Sequence, residues 1–122
     1  MTNETFQKSL LYRRLIQPLR HSAAGLAFAW RSEEAFRIEV LLCVLLVPMA
    51  LVLEPTWQGR LWLIGSLILV LIVELLNTAI EKLVDRISLE PHELSKAAKD
   101  VGSAAVGLSL LWAVGVWIVV LL

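Results

Sequence analysis

The sequence contains very little cysteine and no excess of either charge, and both shortages exclude whole classes of protein. Cys43 is the one cysteine among 122 residues, which excludes a disulfide within the chain and a cysteine metal site. Lysine and arginine together number 11, as do aspartate and glutamate, so no nucleic-acid partner is expected. Gly102 and Gly107 have the spacing of a phosphate-binding loop, but Leu108 stands where the lysine of that loop belongs.

Apolar residues, in contrast, make up 58% of the chain and are gathered in three runs, residues 40–53, 61–80 and 101–122. Twenty helical residues span about 30 Å, which is the thickness of the hydrocarbon core of a bilayer. The three runs therefore predict three membrane-spanning helices. The first run is too short to span alone, so it must include residues 35–39, which places Glu39 inside or just below the membrane.

The segment before the first run has leucines at four-residue spacing and arginines on other faces. This pattern predicts a basic amphipathic helix on the membrane surface, kinked or divided at Pro18. Ser32 is a plausible N-cap for the first spanning helix. We predict one all-α membrane domain over residues 1–122, with a surface helix over residues 10–30 and membrane helices over residues 34–53, 61–86 and 95–121.

The positive residues are distributed unequally along the chain. They number six in residues 1–39 and four in residues 81–100, but only one, Arg60, in residues 54–60. Since positive residues favour the cytoplasmic side, the N-terminus and the 81–100 loop are expected in the cytoplasm and the C-terminus on the opposite side.

Glu74 is the only charged residue between residues 61 and 80. A charged side chain in the middle of a spanning helix costs at least about 2.5–3.5 kcal/mol, so a functional site is the first hypothesis. Asn77, Glu81 and Asp85 follow at offsets of three, seven and eleven residues, which places all four on one face of a helix.

Further charged residues are expected at the cytoplasmic boundary, namely Glu33, Glu39, Lys99 and Asp100. Several carboxylates beside a lysine suit a divalent cation that carries phosphate oxygens. The residues alone thus predict an acidic membrane site that is compatible with phosphoryl transfer. Three helices could hardly shelter this site from lipid, so we expect a homo-oligomer in which the polar face meets a neighbouring subunit.

Three stretches of the sequence resemble the prokaryotic diacylglycerol kinases, and they occur in the order found in that family. Residues 33–39 (EEAFRIE) are similar to the family motif E-A-A-F-R-x-E. Residues 73–86 (VELLNTAIEKLVDR) resemble the signature E-x-x-N-[ST]-A-I-E-x-x-V-D. Residues 92–106 (HELSKAAKDVGSAAV) match H-E-L-S-x-x-A-K-D-x-G-S-A-A-V, so the resemblance covers most of residues 30–106.

The resemblance implies a lipid kinase that transfers the γ-phosphoryl group of ATP, with Mg²⁺, to the primary hydroxyl of diacylglycerol and so forms phosphatidic acid. It implies a homotrimer, surrounded by membrane lipids, in the bacterial inner membrane, with the N-terminus in the cytoplasm and the C-terminus in the periplasm.

The resemblance also implies a role for each matched residue. Glu74 would be the catalytic base, with Asn77 near the reacting groups. Glu33 and Glu81 would bind the metal ion. The residues that would contact the nucleotide are Arg14, His21, Glu33, Glu81, Glu90, Pro91, His92, Lys99 and Asp100. Those that would contact the lipid are Trp30, Glu39, Glu74 and Ser103.

Two other functions remain open at this point. Some members of the family phosphorylate undecaprenol instead, although residues 92–106 favour the diacylglycerol branch. A small membrane subunit that binds a translocated proton or sodium ion would explain Glu74. It would not explain why the polar face continues to Asp85, nor why Lys99 is present.

Overall fold

The computed structural model describes residues 2–122, which are helical almost throughout and contain no β-strand. They form two compact units, one ending at Ser32 and the other comprising Glu33–Leu122. The second unit contains three helices that are long and apolar enough to cross a membrane. The prediction of an all-α protein with three membrane helices and an N-terminal helix is therefore confirmed, whereas the homotrimer stays a prediction.

The first unit consists of α1 (Asn3–Leu11), a π-helical stretch (Tyr12–Ile16) and α2 (Gln17–Ser32). This π-helical stretch divides the segment, but it ends two residues before Pro18 and not at Pro18 as predicted. An α-helical amide would bond to the carbonyl four residues back. The amide of Gln17 instead bonds to the carbonyl of Tyr12, and the chain remains helical through Pro18. That this segment lies on a membrane surface stays a prediction.

The second unit consists of α3 (Glu34–Leu53), α4 (Trp57–Ile87) and α5 (Glu93–Leu121), and α4 packs against both other helices. The N-cap of α3 is Glu33, which has extended backbone angles (φ −118°, ψ 110°). The prediction that Ser32 is this cap is wrong, because Ser32 is still the last helical residue of α2.

A compact turn joins α3 to α4. Arg60 closes the end of α3, since its Nε donates to the carbonyl of Glu54 at 2.7 Å and its Nη2 to that of Leu51 at 2.9 Å. The hydroxyl of Thr56 accepts from the amide of Gly59 at 3.0 Å and caps α4. Because of this cap, α4 begins at Trp57 rather than at the predicted residue 61.

The carboxylate of Glu54 is bound within the same turn. Its Oε1 accepts from the hydroxyl of Thr56 at 2.8 Å and from the amide of Thr56 at 3.1 Å. These hydrogen bonds, and then the positive charge of Arg60, hold the pKa of Glu54 below its usual value of 4.5.

The apolar core of the second unit lies near this turn, where Ala50, Leu63 and Val116 are buried together. Trp117 joins α5 to α4, because its indole Nε1 donates to the carbonyl of Leu63 at 3.2 Å. Only 11% to 33% of each spanning segment is buried within the chain. Most of the apolar surface of the three helices is therefore left for lipid or for other subunits.

Candidate active site

The polar face predicted on α4 begins with buried side chains. Glu74 is 5% exposed, and Asn77 and Thr78 are buried beside it. Glu81 and Asp85 follow one and two helical turns after Asn77, and both are only partly buried. The carboxylates of α4 therefore run from the interior of the second unit toward the end of the helix.

Glu39 lies on α3 opposite this face, and its side chain interacts with that of Glu74. Four buried oxygens in this region have no hydrogen-bond partner, namely Oε2 of Glu39, Oε2 of Glu74, Oδ1 of Asn77 and Oγ1 of Thr78. Buried polar atoms in proteins are almost always hydrogen-bonded, so a cluster of unpartnered ones needs an explanation. A ligand with hydrogen atoms to donate fits this cluster.

Asn77 is held between two helices. Its Nδ2 donates to Oε1 of Glu81 at 3.3 Å. On α5, the backbone of Gly102 approaches so closely that a Cβ at that position would overlap Oδ1 of Asn77. Glycine at this position leaves the amide of Asn77 in place, whereas a residue with a Cβ would force that amide to move.

Two ion pairs connect the acidic residues to lysines. Oε1 of Glu33, at the start of α3, lies 3.4 Å from Nζ of Lys82 on α4. Oδ1 of Asp85 on α4 lies 2.8 Å from Nζ of Lys99 on α5. The charges of Glu33 and Glu81 both act on Glu74, which also interacts with Glu39. These four glutamates are the carboxylate cluster.

A polar cavity of about 670 Å³ lies where α4 ends and α5 begins. Its walls include both members of the ion pair between Asp85 and Lys99. His92 also lines this cavity. Its imidazole is held in place because Nδ1 accepts from the amide of Leu94 at 3.0 Å and so caps α5. The cavity brings together five of the residues predicted to contact a nucleotide: Glu90, Pro91, His92, Lys99 and Asp100.

An apolar cavity of about 380 Å³ lies between α3, α4 and α5. Glu39 is the one charged residue in its lining, which is otherwise aliphatic apart from Cys43 and Trp117. Glu39 also interacts with Glu74, so one member of the carboxylate cluster borders the apolar cavity.

No group of three or more histidine, cysteine, aspartate or glutamate side chains converges as a metal site within residues 2–122. Mg²⁺ usually takes only one or two protein carboxylates and completes its shell with phosphate oxygens and water. The charges of Glu33 and Glu81 both act on Glu74, and their role as metal ligands stays a prediction.

The remaining predicted residues are more scattered. Ser103 follows Gly102 on α5 and is exposed. Arg14, His21 and Trp30 belong to the first unit, and their roles stay predictions. Sequence reasoning missed the pairing of Asp85 with Lys99, because residues 14 positions apart on different helices give no local signal.

Together, three helices that are long and apolar enough to cross a membrane carry a row of acidic side chains with an apolar cavity at Glu39 and a polar cavity at Asp85. The sequence model of the family described as prokaryotic diacylglycerol kinase matches residues 20–121. The chain therefore belongs to the prokaryotic diacylglycerol kinase family, and it is a lipid kinase of bacterial membranes.

Individual relatives agree with the family. The chain is 44% identical to a diacylglycerol kinase of Pseudomonas aeruginosa over 122 residues, which cover 100% of the chain and 99% of the relative. It is 46% identical to a diacylglycerol kinase of Escherichia coli (strain K12) over 110 residues, or 90% of each protein. A diacylglycerol kinase of Haemophilus influenzae is 44% identical over 103 residues, covering 84% of the chain and 87% of the relative.

Proposed function

We propose that this lipid kinase transfers the γ-phosphoryl group of MgATP to the primary hydroxyl of diacylglycerol and that Glu74 is the general base. The product is phosphatidic acid. The observation that carries the proposal is that the acidic residues of α3 and α4 reach two unlike cavities. Asp85 and Lys99 line the polar cavity, whereas Glu39 lines the apolar one. A water-soluble nucleotide and a lipid alcohol can therefore approach the same row of acids from different sides.

Glu74 is suited to accept the proton of the lipid hydroxyl. It is buried, and its Oε2 has no partner within the chain. As the hydroxyl oxygen bonds to the γ-phosphorus, its proton passes to Glu74 and the bond to the leaving ADP breaks. General base catalysis of this kind contributes about 10²–10⁴-fold to the rate. Glu39, together with Trp30 and Ser103, is proposed to hold the lipid.

Positioning and charge neutralisation are expected to supply much of the remaining acceleration. Glu33 and Glu81 would hold Mg²⁺, and Asn77 would orient Glu81 and lie near the reacting groups. When bound, the metal ion neutralises the negative charge of the phosphate groups. The nucleotide is proposed to contact Arg14, His21, Glu90, Pro91, His92, Lys99 and Asp100, in addition to the two metal ligands.

The membrane arrangement is also a proposal. The distribution of lysine and arginine supports an inner-membrane protein with a cytoplasmic N-terminus and a periplasmic C-terminus. This orientation would open the polar cavity to cytoplasmic ATP. The resemblance to the family motifs supports a homotrimer, in which neighbouring subunits would cover part of the apolar surface that the chain leaves exposed.

The decisive variant is Glu74→Gln, assayed with radiolabelled ATP and diacylglycerol in mixed micelles. We expect turnover to fall by about 100-fold or more, with an unchanged circular dichroism spectrum and unchanged nucleotide affinity. Glu34→Gln is the matched control, since Glu34 is an exposed carboxylate at the start of α3. A Glu74→Gln enzyme with a nearly normal rate would remove Glu74 as the base.

The identity of the lipid acceptor has its own test. We expect phosphorylation of diacylglycerol in the same micelles to be much faster than phosphorylation of undecaprenol. Activity confined to undecaprenol would change the proposed acceptor while leaving the roles of the residues intact.

A further inference from the structure

We propose that Asp85 is a positioning residue for the nucleotide and that it acts by holding Lys99. The proposal rests on the proposed function, in which Lys99 contacts the nucleotide. Oδ1 of Asp85 lies 2.8 Å from Nζ of Lys99, so the pair bridges α4 and α5. Both side chains line the polar cavity that contains the other residues proposed to bind ATP.

Lys99 needs a fixed partner because a lysine side chain is long and flexible. The neighbouring carboxylate, Asp100, pairs with Lys96 one turn earlier on α5, whereas Lys99 pairs with Asp85. Asp85 lies one turn beyond Glu81 on the same face of α4, and the charge of Glu81 also acts on Lys99. The pair therefore holds the ammonium group of Lys99 beside the cavity.

A purely structural role explains the pair less well. The side chains of Lys99 and Asp85 are 45% and 40% exposed, respectively. Ion pairs with this much contact with water contribute little to stability. The extensive packing of α4 against α5 also joins the two helices without this pair. Loss of the Asp85 carboxylate should therefore leave the fold intact and release Lys99 from its position.

The test uses the full-length enzyme in mixed micelles, with ATP and diacylglycerol varied separately. We expect Asp85→Asn to raise the KM for ATP by about tenfold, while the KM for diacylglycerol and the Tm stay unchanged. Asp85→Glu keeps the carboxylate and should restore a large part of the loss. Glu34→Gln is the matched control, because it removes an exposed carboxylate that lines neither cavity, and it should leave the KM for ATP unchanged.

A double-mutant cycle tests whether Asp85 acts through Lys99. Once Lys99 is changed to methionine, the further change Asp85→Asn should have almost no effect on the kinetics. Additive losses in the double variant would overturn the proposal, because Asp85 would then act independently of Lys99. An Asp85→Ser variant repeats the comparison if Asp85→Asn folds poorly.

Two further outcomes separate this proposal from the proposed function. A normal KM for ATP in Asp85→Asn, together with a large loss in Lys99→Met, would overturn the role of Asp85 and leave the proposed function in place. Normal ATP kinetics in Lys99→Met itself would overturn the nucleotide role of Lys99 and this proposal with it. Loss of activity in Glu74→Gln does not depend on either result.

Discussion

Two regions of the second unit differ in whether their buried polar groups are hydrogen-bonded: the turn between α3 and α4, and the carboxylate cluster. In the turn between α3 and α4, Glu54 accepts two hydrogen bonds from Thr56. Nearby on α4, the hydroxyl of Ser66 donates to the carbonyl of Leu63 at 2.7 Å. In the carboxylate cluster, by contrast, Glu39 and Glu74 each keep a buried oxygen without a partner. Satisfied polar groups stabilise a fold, whereas unsatisfied ones are available to a ligand.

The apolar core strengthens this contrast. Ala50, Leu63 and Val116 are buried together near the turn, away from the carboxylate cluster. The turn and the core should therefore determine stability, and the cluster should determine activity. Substitutions in the two regions are expected to separate these properties, and each prediction below is a way to test that separation.

After Glu74→Gln, the largest effect is expected for Glu81→Ala. This change removes a proposed metal ligand and the acceptor of the Asn77 amide. Turnover should fall on the order of 100-fold at ordinary Mg²⁺ concentrations and recover partly as Mg²⁺ is raised. The Tm should change little. Activity measured across a Mg²⁺ titration is the readout, and an unchanged Mg²⁺ dependence would refute the ligand role.

A smaller effect is expected where α5 crosses the polar face. Gly102→Ala places a Cβ against Oδ1 of Asn77, so the amide must move. Overpacking of this kind costs about 1–3 kcal/mol, and we expect a loss of activity because Asn77 is displaced. Gly107→Ala is the matched control, since no atom lies within 4 Å of a Cβ at that position. Equal activities of the two variants would show that the close approach is dispensable.

At the turn, Thr56→Ala should affect stability and leave activity unchanged. The variant loses the N-cap of α4 and one hydrogen bond to Glu54. Loss of such a cap costs about 0.5–2 kcal/mol, which thermal unfolding in detergent would measure. Thr56→Ser retains the hydroxyl and should behave like the parent protein. A catalytic defect per folded molecule would contradict the division between the two regions.

The smallest effect concerns the pH dependence of stability. Because the pKa of Glu54 is lowered in the folded protein, its contribution to stability is complete above the usual value of 4.5. That contribution is lost as the pH falls through the lowered pKa of the folded state. The Tm of the parent protein should therefore approach that of Glu54→Gln as the pH drops below 4.5. A gap that widens on acidification would contradict this assignment.

The sequence predicted the features that depend on local pattern. The spanning helices follow from apolar run length, and the face shared by Glu74, Asn77 and Glu81 follows from helical periodicity. The close approach of Gly102 to Asn77 depends instead on how α5 is rotated against α4, which no local pattern specifies. The same rotation brings Lys99 to Asp85, so that pair could be found only in the structure.

Similar reasoning applies to the start of α3. Serine is a residue type that often caps a helix. Here, however, α2 continues through Ser32, so the preference of serine for the N-cap position does not decide where α3 begins. The apolar cavity was equally invisible in the sequence, because its lining residues come from three helices and are individually ordinary aliphatic residues.

Cys43 offers a built-in reporter. It lines the apolar cavity one helical turn beyond Glu39, is partly accessible, and is the single thiol of the chain. A maleimide fluorophore or spin label can therefore be attached at one defined site without first constructing a cysteine-free background. Slower labelling of this thiol when diacylglycerol is added would register occupancy of the cavity directly, even in variants that no longer turn over.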